Sequence, residues 1–209
     1  MNRVDPKLVS LGDPDPEVRK TAWLEVKVVK TWNERNFLRS LMRHRLRGVR
    51  EEAWSHLDLY VRNGIDISSF FRSGSERVRM TAWQHYREAL ALGAITKEEL
   101  RRYSNTYWRL LKSWTPGVMK SAWRLLPSLW RDGIVRDEER LISFLWARKV
   151  RIRLYAWETA ITLSNEGELK FPLAEKKEAI RELIRKGKIG KRTKKILERV
   201  DLLEEYSNT

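Results

Sequence analysis

Arg19, Arg50, Arg79 and Arg153 each stand four residues before a tryptophan: Trp23, Trp54, Trp83 and Trp157. On a helix that spacing puts guanidinium and indole on one flank. The pair can serve a core, with the arginine stem lying over a buried ring, or a surface that grips phosphates and stacks bases. A fifth tryptophan, Trp123, follows Met119 instead, with Lys120 beside it. We read all five as core, because each buries on the order of 150–250 Å² and an exposed stripe of five would invite aggregation.

Cationic residues are distributed unevenly. From Arg35 to Arg50 there are six arginines and no acid, and from Leu100 to Arg131 seven basic residues, four tryptophans, two tyrosines and no acid. Much of this charge falls where one helix is expected to turn into the next: Arg43, Arg45, Arg47 and Arg50; Arg72, Arg77 and Arg79; Lys112 and Lys120; Arg148, Lys149, Arg151 and Arg153. Helix N-termini at the same turns offer free amide donors and a positive dipole end, so side chain and backbone favour the same anion, a phosphate. A further basic stretch, RKGKIGKRTKK at 185–195, supplies Lys188, Lys191 and Arg192. It lacks the G-x4-G-K-[ST] spacing of a nucleotide-binding loop and reads as a phosphate-contacting turn or basic arm.

Signals for catalysis are sparse. His44, His56 and His85 have no metal-ligand spacing, and no nucleophile motif is present. Asp58 lies one turn after Trp54 and one turn before Arg62, on the helix side away from the Val49–Ala53–Leu57 stripe, which makes it a weak catalytic candidate and more simply a partner for Arg62. Neither a cofactor nor a metal is expected.

The elements that must position these residues repeat. Taking the alanine of each Ala-Trp as the mark gives Ala22, Ala53, Ala82, Ala122 and Ala156, spaced by 31, 29, 40 and 34 residues, periods that mean a helical array. Four residues before each alanine stands Val18, Val49, Val78, Val118 or Ile152, and four after it Val26, Leu57, Tyr86, Leu126 or Ala160, one apolar stripe on a helix. Eleven after it come Asn33, Gly64, Gly93, Gly133 and Gly167, residue types that end helices in the left-handed conformation. Asp15-Pro16, Thr115-Pro116 and Ser75 mark starts, and TKEE at 96–99 offers a capping box. Partner helices are expected roughly at 4–11, 34–45, 66–73, 97–113, 137–147 and 173–186, with Trp114 closing the stripe of the fourth pair, and a mixed-charge helix at 191–204 would cap the array.

At LGDPDPEVRKTAW the chain resembles the HEAT-repeat family, whose second helix commonly begins D-P-x-V-R-x-x-A; later repeats keep the aliphatic-x3-Ala core and replace the Asp-Pro lead. The resemblance implies an all-α, right-handed α-solenoid of about five to six helix pairs in a single domain over 1–209, with repeats roughly at 4–32, 33–64, 65–94, 95–133, 134–167 and 172–204 and a C-terminal capping helix. Members of this family are mostly binding scaffolds. AlkD-like DNA glycosylases, also HEAT-like, use a Trp and a catalytic Asp close together on a basic surface, and Trp54 with Asp58 is similar in that one respect.

Composition bounds the rest. Forty-three Lys and Arg against 28 Asp and Glu leave a formal charge of +15, which points to an anionic partner. No cysteine is present, which removes disulfides, thiolate metal sites and cysteine nucleophiles and makes an intracellular address the default. No apolar run resembles a signal peptide or approaches the ~20 residues of a membrane span. The expectation is a cytoplasmic, monomeric, thermophile-like protein that binds nucleic acid, DNA before RNA, with little sequence choice. An acidic protein partner is the alternative, and no membrane partner is expected.

Overall fold

Several helix starts in this chain are written by short polar side chains. Asp5 accepts the Lys7 amide at 2.9 Å and opens α1 (Pro6–Val9), and Asp15 accepts the Glu17 amide at 2.9 Å and opens α2 (Pro16–Glu25). In both, proline fills a first-turn position whose amide has no helical partner. Thr31 and Glu34 form a reciprocal capping box at α3 (Trp32–Leu41), and Thr96 and Glu99 form the one expected from TKEE at α8 (Lys97–Leu110).

The computed structural model describes residues 4–170, and every regular element among them is helical. The chain divides into two compact units, Met1–Leu110 and Leu111–Thr209. Between α3 and α8 the first unit contains α4 (Arg47–Ser55), α5 (Leu57–Arg62), α6 (Glu76–Gln84) and α7 (Tyr86–Ala91). Short 3₁₀ turns at Ser10–Gly12 and Ser68–Arg72 complete it. The second unit contains α9 (Pro116–Arg131), α10 (Glu138–Leu145) and α11 (Val150–Asn165). The helices expected at 173–186 and 191–204 lie outside the described residues.

The repeat register holds with instructive departures. Gly64, Gly93, Gly133 and Gly167 all have positive φ, between 64° and 72°, and end their helices as expected. Asn33 does not: α2 stops at Glu25, the chain turns extended at Val26, and Asn33 lies in the first turn of α3. The Thr31–Glu34 box begins that helix two residues earlier than its asparagine could end another. Thr115 and Ser75 precede helices but make no capping side-chain bond. The 66–73 segment forms only a 3₁₀ turn, and α8 ends at Leu110, which leaves Trp114 in the turn beyond it.

The apolar stripe is buried from the second repeat onward, with Val49, Ala53 and Leu57, Val78, Ala82 and Tyr86, Val118, Ala122 and Leu126, and Ile152, Ala156 and Ala160 all inside; Val18 of the first repeat is exposed. All five repeat tryptophans are buried, as expected. In the first unit each packs on the segment that follows. Trp23 stacks on His56 at 4.2 Å between centroids, and Trp54 stacks on His85 at 5.5 Å with Phe70 edge-on at 5.7 Å. Trp83 meets Phe71 and Tyr107 edge-on at 5.4 and 5.1 Å. His56 and His85 occupy the breaks between α4 and α5 and between α6 and α7, so a stacked imidazole stands where a continuous second helix was expected. In the second unit Trp123 sits between Phe144 and Tyr155.

Candidate nucleic-acid interface

The repeated arginines have a local task that their spacing to tryptophan did not disclose. Arg50 donates to the His44 carbonyl at 2.7 Å, Arg79 to the Ser73 carbonyl at 2.6 Å, and Arg153 to the Ala147 carbonyl at 3.0 Å, each six residues back. Arg19 does the same to Asp13 at 2.8 Å and also grips Glu52 through two bonds of 2.7 and 2.6 Å. Each guanidinium therefore closes the turn in front of its own helix by binding one of that turn's backbone carbonyls. Burial pulls Arg50 and Arg79 down from the usual arginine range, whereas the bond to Glu52 raises Arg19. Arg79 is only 7% exposed. Arg19 and Arg79 are buried, whereas Arg50 and Arg153 are half-buried, and the Nε of Arg50 and of Arg79 has no hydrogen-bond partner among the described residues. Where the series has Met119 in place of arginine, buried Ser113 accepts the Thr115 amide at 3.0 Å and closes the turn itself.

The remaining basic residues of the turns face solvent. Arg47 pairs with Glu51 at 2.6 Å, but Arg43, Arg45 and Arg77 in the first unit, and Lys112, Lys120, Arg148, Lys149 and Arg151 in the second, are exposed with no carboxylate in ion-pair reach among the described residues. Several rest on aromatic rings: Arg43 over Phe70 at 4.9 Å, Arg72 over Tyr103 at 4.9 Å, and Lys112 over Phe144 at 4.9 Å. The charged heads themselves lie against the ring faces, and the residues remain exposed to solvent. Lys188, Lys191 and Arg192 lie outside the described residues.

Two features were not singled out by sequence. Asn36, Arg39 and Ser40 on α3, with Arg43 in the turn after it, line an open hollow of about 440 Å³, with both guanidinium groups drawn toward the Phe70 ring. Trp114 is 84% exposed, and the Lys149 ammonium stands 3.1 Å from its ring centroid. The signal for the second was its position one residue before the Thr115-Pro116 helix start, in a turn where an indole cannot follow the apolar stripe.

The catalytic candidate does not assemble. Asp58 forms an ion pair with Arg62 on the same exposed helix face, the simpler of its two expected roles. Trp54, its imagined partner, has no exposed surface with which to stack on a base. The histidines serve packing and turns: His44 Nδ1 accepts the Leu46 amide at 3.3 Å, and His85 Nδ1 lies 3.1 Å from Glu88. Among the described residues no cluster of His, Asp and Glu could hold a metal, and no helix is long and apolar enough to cross a membrane. No protein-family model and no curated protein sequence matches the chain.

Proposed function

We propose that this protein binds nucleic acid, duplex DNA foremost, by holding backbone phosphates on the exposed cations of its inter-helix turns, with little choice of sequence. The observation that carries this reading is the division of labour among the basic residues. Arg50, Arg79 and Arg153 are each spent on closing the backbone of a turn, yet Arg43, Arg45, Arg77, Lys112, Lys120, Arg148, Lys149 and Arg151 remain exposed with no carboxylate in ion-pair reach among the described residues. Holding like charges together in water costs free energy that an anionic ligand recovers, and phosphate contacts of this kind carry no sequence information. The same proposal takes the helix pairs that recur within each unit as HEAT-like repeats stacked as a solenoid, a scaffold suited to binding.

The test is a titration of random-sequence duplex DNA against salt. Each phosphate neutralised steepens the log–log slope by about 0.9, so the triple variant Arg45→Glu, Arg77→Glu, Arg151→Glu should bind all sequences more weakly and with a flatter slope while its helical circular dichroism is unchanged. Absence of wild-type binding at ~0.1 M salt, where exposed charges still act over about 10 Å, would show the reading to be wrong. Recovery of an acidic protein partner under those conditions would replace it.

A further inference from the structure

Trp114 is held out of the core by a turn that is itself fixed. Before it, the Leu111 carbonyl accepts the indole N–H of buried Trp123 at 3.0 Å, and Ser113, also buried, takes the Thr115 amide on its hydroxyl. After it, Pro116 starts α9. The backbone on both sides is thus anchored, and the indole between stands in solvent. An exposed tryptophan forfeits one of the largest burial gains available to a side chain, so a rigid turn that presents one calls for a ligand.

Its surroundings define the ligand. Lys149, at the start of α11, places its ammonium 3.1 Å from the ring centroid, and Lys112 is anchored on Phe144 at 4.9 Å. Arg148 and Arg151 flank Lys149 in sequence and are exposed. An apolar protein segment laid on Trp114 would have to desolvate the Lys149 charge without compensating it. A nucleotide meets both needs, with a flat base for the indole face opposite the Lys149 ammonium and a phosphate for the cations. In a continuous duplex the bases are stacked on one another and their faces are closed to a side chain. We propose that Trp114 is a stacking platform for an unpaired base, and that the second unit therefore prefers single-stranded tails or frayed ends to uninterrupted duplex. This rests on the nucleic-acid reading above and adds a second, base-directed contact in the second unit.

The full-length protein is titrated, by fluorescence anisotropy, with a blunt duplex and with the same duplex carrying a single-stranded tail. One stacked base is worth enough to give the tailed duplex about tenfold tighter binding. Trp114→Ala should lower tailed-duplex affinity to the blunt level and leave blunt-duplex affinity unchanged, whereas Trp114→Phe should keep most of the difference. The exposed position makes both variants suitable for folding controls by circular dichroism. Equal wild-type affinity for both ligands overturns the platform while the phosphate reading stands, and so does a Trp114→Ala variant that weakens both alike. Binding to the tail alone, with none to blunt duplex, overturns the duplex reading and keeps the platform. Trp114-dependent binding to vesicles of anionic phospholipid, with no preference for the tail, overturns the platform in favour of a membrane surface.

Discussion

At the scale of single residues, arginine in this chain has two occupations that sequence alone presents as one. Arg77 and Arg79 are two positions apart, yet one faces solvent and the other donates 2.6 Å to the Ser73 carbonyl from a buried site. A hydrogen bond from a charged donor is worth about 1.5–3 kcal/mol, and removing the donor leaves a carbonyl unmet. Arg79→Ala should accordingly lower unfolding stability by about 2 kcal/mol in urea melts and leave nucleic-acid affinity of the folded variant unchanged; lost affinity at full stability would return Arg79 to the interface. The tryptophans were legible because aggregation risk and burial gain both argue for the interior. The arginine role was not, because a bond to a carbonyl six residues back belongs to the path of the turn, and no pattern of residue types encodes that path. Trp114 escaped for the converse reason: helical periodicity assigned it to a stripe that the backbone abandons at Leu110.

Among the elements, the sequence was most readable where the determinant is local. The Thr96–Glu99 box and the four positive-φ glycines act within one turn of chain. The same logic corrects Asn33, since Thr31 and Glu34 spell an equally local start signal that outweighs it. The breaks at His56 and His85 were beyond such reading, for each depends on a tryptophan about one repeat earlier, Trp23 or Trp54. The boxes also carry a pH dependence. The Thr96 amide, and after it the Thr96 hydroxyl, donate to the Glu99 carboxylate and hold it below its ordinary value. A carboxylate whose folded value is depressed contributes stability that is complete above its unfolded pKa, about 4.3, and is lost as pH falls through the folded value. Melting temperature should therefore drop on acidification from about pH 7 to about pH 3, and drop less in Glu99→Gln, which has no such proton to take up. Equal acid sensitivity in calorimetry would show that the box contributes nothing.

For the whole molecule, a formal charge of +15 on 209 residues means that folding and binding should respond to salt with opposite sign. Screening relieves repulsion in the folded chain and so raises its melting temperature, while it weakens attraction to phosphate. Thermal melts and duplex titrations over one series of salt concentrations check this, and parallel trends would indicate that surface ion pairs, such as Arg131–Glu166 at 2.7 Å, dominate the balance. The all-helical class was legible at this scale because five repeats average out local errors. Which basic residues remain exposed was not, since that depends on where each turn directs its side chains. The turn-closing arginines also bear on how such a chain can lengthen. Each reaches six residues back even though the repeats around Arg50, Arg79 and Arg153 are spaced by 31, 29 and 34 residues. Closure is thus encoded wholly inside the segment that needs it, so a duplicated segment brings its own fastening and requires no matching change in its neighbour, whereas a fastening like Arg19 to Glu52, 33 residues apart, must be invented twice.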